Sequence, residues 1–173
     1  MSKKIKYNLD EDSHLLNYRK GSQKLVWMDP KTFNDLAIPF ATVEKFKEQN
    51  IPKKDYEKNW EIDKETKRGY YKPKLENIMP KIKKGKKIDP LYLDVDIDDC
   101  SVKSHEGRHR AYASQKLGIK KIPVVIFFRK NGDFIEEYIE LKNTEDGPKR
   151  VRTYPVDKVK CCVNSHCNLK KEK

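Results

Sequence analysis

A chain of 173 residues suits one domain with one core and is short for two. Hydrophobic residues make up 36% against 38% charged, and the longest apolar run, 122–128, falls far short of the roughly 20 residues that span a bilayer, so neither a transmembrane helix nor a membrane partner is expected. The formal net charge of +12 lies in two patches: residues 72–87 carry seven Lys against one acid, residues 149–173 carry eight Lys or Arg against two, and the remainder sums to zero.

In chain order, residues 1–20 are polar and aperiodic and read as an arm, 21–148 as the domain, and 149–173 as a basic tail. The basic N-terminus is followed by acids rather than an apolar stretch, which fits a soluble, cytoplasmic protein. KLVWMD predicts a strand over 24–29. PKTFNDLA predicts a short helix with Pro30 in its first turn and Phe33 and Leu36 on one face. A second helix is expected over 42–49, capped by Thr42, with Val43 and Phe46 turned inward.

Residues 52–71 are charge-rich and without a clear period. Trp60, Tyr70 and Tyr71 suit either the flanks of a hairpin or a base-stacking surface, and no role is assigned to them. Next, Leu75, Ile78, Met79 and Ile82 have the spacing of an amphipathic helix with lysines opposite, kinked or split at Pro80 and ended by Gly85. LYLDVDID alternates, which predicts a half-buried strand over 91–98 with Tyr92, Asp94, Asp96 and Asp98 on a wet face. A calcium-binding loop starting at Asp94 would need Gly at 99 and Glu at 105, where the chain has Asp99 and His105.

SVKS, 101–104, is a candidate strand, RHRAYASQKLG a helix closed by Gly118, and IPVVIFF a parallel-type strand followed by another over 132–141. The class is therefore mixed α/β, a small mixed sheet flanked by helices around a strand–turn–helix–strand unit.

That central turn concentrates the chemistry. A helix N-terminus offers unpaired N–H groups and about half a positive charge, and Gly107 lets backbone and ligand approach closely. Helix starts favour acids, yet this one carries Arg108, His109 and Arg110 against the dipole, an arrangement that an anion would relieve. Gly107, Arg108, His109 and Arg110, with Ser104 and His105 as weaker members, are the candidate phosphate-binding residues. Glu106, His109 and Arg110 are the candidate catalytic ones: Glu106 as base or metal holder, His109 as proton exchanger, Arg110 against developing charge. The bland alternative pairs Glu106 with Arg108 or Arg110 across the turn.

The two lysine-rich patches suit polyanions. Lys81, Lys83, Lys84, Lys86, Lys87, Lys149, Arg150 and Arg152 are accordingly candidates for binding DNA or RNA, or simply a solvated surface. Cys100 stands alone, while Cys161, Cys162, His166 and Cys167 crowd the tail. Adjacent cysteines resist chelating one ion, so zinc is not expected.

From about 72 to 128 the order is amphipathic helix, glycine, a strand opened by Asp89, Pro90 and Leu91, then acid–Gly–x–His–Arg on a helix closing with Leu-Gly before Ile-Pro-Val-Val. This order resembles the ParB/sulfiredoxin family, whose members include CTP-hydrolysing partition proteins, nuclease-like proteins, ATP-using sulfiredoxins and a free-serine kinase. The resemblance implies a nucleotide, ATP or CTP with Mg2+, held at Glu106, Gly107, His109 and Arg110. Arg108 stands where a sulfiredoxin needs its cysteine, so that activity is not expected. Roughly 45 residues follow the IPVVIFF strand, with no room for a partition protein's DNA-binding domain. A stand-alone member of the sort carried by phages, plasmids and viruses is what remains. Asp35, Glu44 and Glu48 are candidates by chemistry alone for completing a pocket.

Overall fold

Alternating apolar residues lay down β4 (Leu91–Asp96) and a continuous apolar run β6 (Ile122–Lys130), which with β1 (Gln23–Met28) and β5 (Val102–Glu106) hydrogen-bond in the order β1-β6-β4-β5. The computed structural model describes residues 23–37, 41–96, 101–130, 133–134 and 139–152. Strands β4 and β6 run parallel, Leu91 opposite Val124 and Leu93 opposite Ile126, while β1 and β5 pair antiparallel at either side. The class is mixed α/β, as expected.

Helices cover one face. Asp29 caps α1 (Pro30–Leu36) by accepting from the Thr32 N–H at 3.1 Å, and Pro30 fills its first turn. Thr42 caps α2 (Val43–Glu48) in the same way, at 3.2 Å from the Lys45 nitrogen. In the stretch without a clear period, α3 (Lys53–Asn59) leads into a hairpin of β2 (Trp60–Ile62) and β3 (Gly69–Tyr71), with Trp60 opposite Tyr71 and Glu61 opposite Tyr70. Then follow α4 (Lys72–Lys83) and α5 (Arg108–Lys116).

Pro80 does not split α4; the helix runs on to Lys83, and Gly85, at φ +68, closes it. Leu75 and Ile82 of α4, Phe33 of α1 and Ala37 just past its end, and Ala111 and Ala113 of α5 pack on Leu91, Leu93, Val95, Ile122, Val124 and Ile126 of the sheet. Each large aliphatic side chain buried there contributes about 1.5–3 kcal/mol. A smaller cluster of Ala41, Phe46 and Tyr56, with Trp60 and Ile62 against it, supports the hairpin.

The wet face expected for β4 is not wet. Asp94 has no solvent exposure and Asp96 is buried, on an interior strand with β6 on one side and β5 on the other. Asp94 is held by the Ser104 hydroxyl and by the Arg129 guanidinium at 3.1 Å. Within the strand expected over 132–141, β7 (Asp133–Phe134) pairs with β6, and β8 (Ile139–Thr144) forms a hairpin with β9 (Gly147–Arg152). Lys149, Arg150 and Arg152, assigned to a tail, therefore lie in a strand. The arm at 1–20, Asp98 and the tail cysteines lie outside the described residues. Among the described residues no helix is long and apolar enough to cross a membrane.

Candidate functional site at the start of helix α5

β5 delivers the chain to the site in register with β4, Ser104 opposite Asp94, His105 opposite Leu93 and Glu106 opposite Tyr92. Gly107 then takes φ +114, ψ 14 and becomes the cap of α5. A Cβ here would sit 2.5 Å from the Leu91 Cγ, so glycine is demanded by both the left-handed backbone and the wall behind it. No side chain caps α5 and its first turn holds no acid. The first backbone bond back to Gly107 comes from Ala111, leaving the earlier N–H groups outside the helix's own ladder.

The three basic residues do not gather on one ligand. Successive helical residues turn by about 100°, which sends Arg108 and Arg110 to opposite sides. Arg108 points inward, only 3% exposed; its guanidinium lies 5.3 Å from the centre of the Tyr70 ring and donates to the Gly69 carbonyl at 3.4 Å. Burial, then the charge of Arg68, holds its pKa below the ordinary arginine value. Tyr70 is itself pushed up to about 12 by burial, against the pull of Arg108 and Arg68.

His109 is also buried. Its Nε2 accepts the Tyr71 N–H at 2.9 Å, which places the ring proton of the neutral imidazole on Nδ1, and it meets Tyr70 edge-on at 5.9 Å. Burial foremost, with the charges of Arg108 and Lys74 adding, lowers its pKa to about 4. The expected proton exchange near neutral pH is therefore corrected to a neutral hydrogen-bonding group at pH 7. Between pH 6.5 and about 4 the unfolded chain takes up a proton that the fold refuses, so this residue's contribution to stability is full above 6.5 and falls as pH falls through that window. Urea unfolding of His109→Gln against the parent, at pH 7 and pH 4.5, should show the parent's advantage shrinking at the lower pH; parallel profiles would contradict the buried neutral imidazole.

Arg110 stays at the rim. It donates to the carbonyls of Asp89 at 2.8 Å and Pro90 at 3.4 Å, and its other terminal nitrogen lies 3.6 Å from Glu106, the pairing across the turn that the sequence left open. Its side chain is 16% exposed and that of Glu106 64%, so this ion pair is weak in energy and Glu106 remains accessible. Ser104 is committed to Asp94, and His105 is half-buried in β5. Lys81, Lys83, Lys84, Lys86 and Lys87 are exposed along and beyond the end of α4.

Sequence reasoning missed the hairpin's part in the site. Tyr70 stacks face to face on Tyr112 of α5, centroids 3.9 Å apart, and Tyr112 donates to Glu61 at 3.1 Å. Burial first and Glu61 second push the Tyr112 pKa upward. Lys74 and Arg68 enter through their charges on His109 and Arg108. Asp35, exposed on α1, acts on Tyr70, whereas Glu44 and Glu48 stand exposed on α2 with no described interaction reaching the turn. Among the described residues no group of three or more His, Cys, Asp or Glu could hold a metal ion. No family model, curated protein or solved structure matches the chain.

Proposed function

We propose that this chain is a nucleotide-binding α/β domain of ParB/sulfiredoxin type in which the start of α5 takes a phosphate of the nucleotide. One observation carries the reading: a left-handed glycine opens a helix whose first turn has no acid and no side-chain cap, with a guanidinium at its rim. The carbonyls of Asp89 and Pro90 orient the Arg110 fork from one side, and the N–H groups at the helix start supply further donors. His109, neutral and turned inward, supports the helix start by accepting the Tyr71 N–H.

In turnover the chemistry is phosphoryl or phosphodiester transfer: the attacking hydroxyl oxygen bonds to phosphorus as the P–O bond to the departing phosphate or alkoxide breaks, accessible Glu106 takes the hydroxyl proton and Arg110 offsets charge on the phosphoryl oxygens. Where Mg2+ comes in with the nucleotide, Glu106 would hold it in place of acting as the base. Isothermal titration with ATP, CTP and GTP, with and without magnesium, checks the reading. Arg110→Ala should weaken binding by about tenfold or more, the worth of a charge-assisted hydrogen bond. Glu106→Gln should bind and not turn over. Absent binding to the parent protein, or binding unchanged in Arg110→Ala, ends the proposal.

The exposed lysines of α4 support a second reading, a non-catalytic grip on the backbone phosphates of DNA or RNA. An oligonucleotide in the same titration separates the two, because this grip would survive both Arg110→Ala and Glu106→Gln.

A further inference from the structure

The hairpin brings Trp60 and Tyr71 together on the side it does not give to α5. The two residues stand directly opposite one another in the β2–β3 register and so share one face of the ribbon, their ring centroids 5.3 Å apart and tilted by 54°. Their neighbours Glu61 and Tyr70, on the other face, are committed to Tyr112. Behind Trp60 the row of rings continues inward through Phe46, 5.7 Å away, which stacks on Tyr56 at 4.8 Å. Exposure rises along that row: Tyr56 and Phe46 are buried, Trp60 is half-buried and Tyr71 is 37% exposed. The small core that supports the hairpin accounts for the inner rings, while the outermost keeps aromatic surface in solvent.

Cations flank this end of the row. Trp60 closes α3 and Tyr71 opens α4, so the last turn of one helix and the first turn of the other meet at the pair. Lys72 spans them by donating to the Glu57 carbonyl at 2.5 Å. Lys58, two residues before Trp60, and Lys74, in the first turn of α4, are both exposed. Lys74 lies near enough for its charge to act on His109, whose Nε2 accepts the Tyr71 N–H. Glu57 pairs with Lys53 at 3.6 Å, and the first turn of α4 holds no acid. Aromatic surface flanked by ammonium groups suits a polyanion whose repeating units carry flat rings.

We propose that Trp60 and Tyr71, with Lys58, Lys72 and Lys74, form a platform for single-stranded nucleic acid, one base stacking on Tyr71 while neighbouring phosphates meet the lysines. The inference rests on the second reading above and deepens it. Lysines alone grip any phosphate backbone, whereas stacking on a side chain needs a base whose π-face is not covered by its neighbours in a duplex, so the platform adds a preference for single strands.

Fluorescence titration of the full-length protein with oligothymidylate, and with a duplex of matched length, provides the test. The chain has two tryptophans, so a Trp27→Phe background leaves Trp60 as the reporter. The single strand should quench Trp60 and bind more tightly than the duplex. Tyr71→Ala should weaken single-strand binding by about tenfold, the worth of a stacked base, and leave duplex binding within about twofold; Tyr71→Phe should keep the parent's affinity. Tyr71 meets His109 through its backbone, so the substitution retains that contact, and an unchanged melting temperature checks it. Lys74→Gln should lower the salt slope of single-strand binding by about 0.7. Equal affinity for strand and duplex, or single-strand binding unchanged in Tyr71→Ala, overturns the platform and leaves the lysine grip standing. Absent binding of either polymer overturns both. Single-strand binding that depends on Tyr71, with no affinity for the duplex, establishes the platform and removes the grip on any backbone. A dimer that sedimentation shows to be lost in Tyr71→Ala assigns the surface to a second copy of the chain and overturns the proposal.

Discussion

Gly107→Ala is expected to lower stability by about 3 kcal/mol, from the strain of a left-handed backbone together with overpacking. At this chain length that corresponds to a fall of about 6–12 °C in melting temperature. The cause is doubly local: φ is +114, and the new methyl would stand 2.5 Å from the Leu91 Cγ, an atom of a fully buried side chain that has nowhere to retreat. Relief requires α5 to swing away from β4, which would carry Arg110 off the carbonyls of Asp89 and Pro90. Phosphate binding at the rim should therefore fall with stability, even at temperatures where the variant is folded. Thermal unfolding, followed by titration well below the transition, measures both; a variant that melts within about 2 °C of the parent contradicts the geometry of the turn.

The second large effect lies on the other face of the sheet. Arg129→Met leaves the Asp94 carboxylate, which has no solvent exposure, without the guanidinium 3.1 Å away, and should cost about 3 kcal/mol in urea unfolding. Asp94→Asn should cost less. The arginine it strands is 22% exposed and reaches water, whereas the stranded carboxylate does not. Combining the two substitutions should recover much of the Arg129→Met loss, since an amide can still accept from Ser104 without a buried charge. A double variant as unstable as the sum of the singles would show that the pair is not coupled.

Local chemistry made much of this fold readable. Pro30 in the first turn of α1, the cap at Thr42, the alternation of β4 and the glycines closing α4 and opening α5 act over a few residues, and the structure keeps each of them. What escaped depends on distant partners. Asp94 looked solvated because alternation does not reveal whether a strand's second face is covered, and Arg129 lies 35 residues away. Helix α3 hid in a charged stretch because it buries only Tyr56. The crowd of positive charge at the turn was visible, but its dispersal was not: Arg108 and His109 turn inward because the hairpin offers a carbonyl, an amide and a ring to meet them.

Three consecutive hairpin residues, Gly69, Tyr70 and Tyr71, engage the α5 start across separations of 38 and 39 residues. Closing a span of that length carries an entropic cost that local helix formation does not repay, so these contacts form only after the chain ends of that loop have met. A synthetic peptide covering 104–127 would thus carry the whole turn sequence without the hairpin carbonyl, amide and ring that Arg108 and His109 meet, and a proteolytic nick anywhere between hairpin and turn would loosen those contacts without removing one of their atoms.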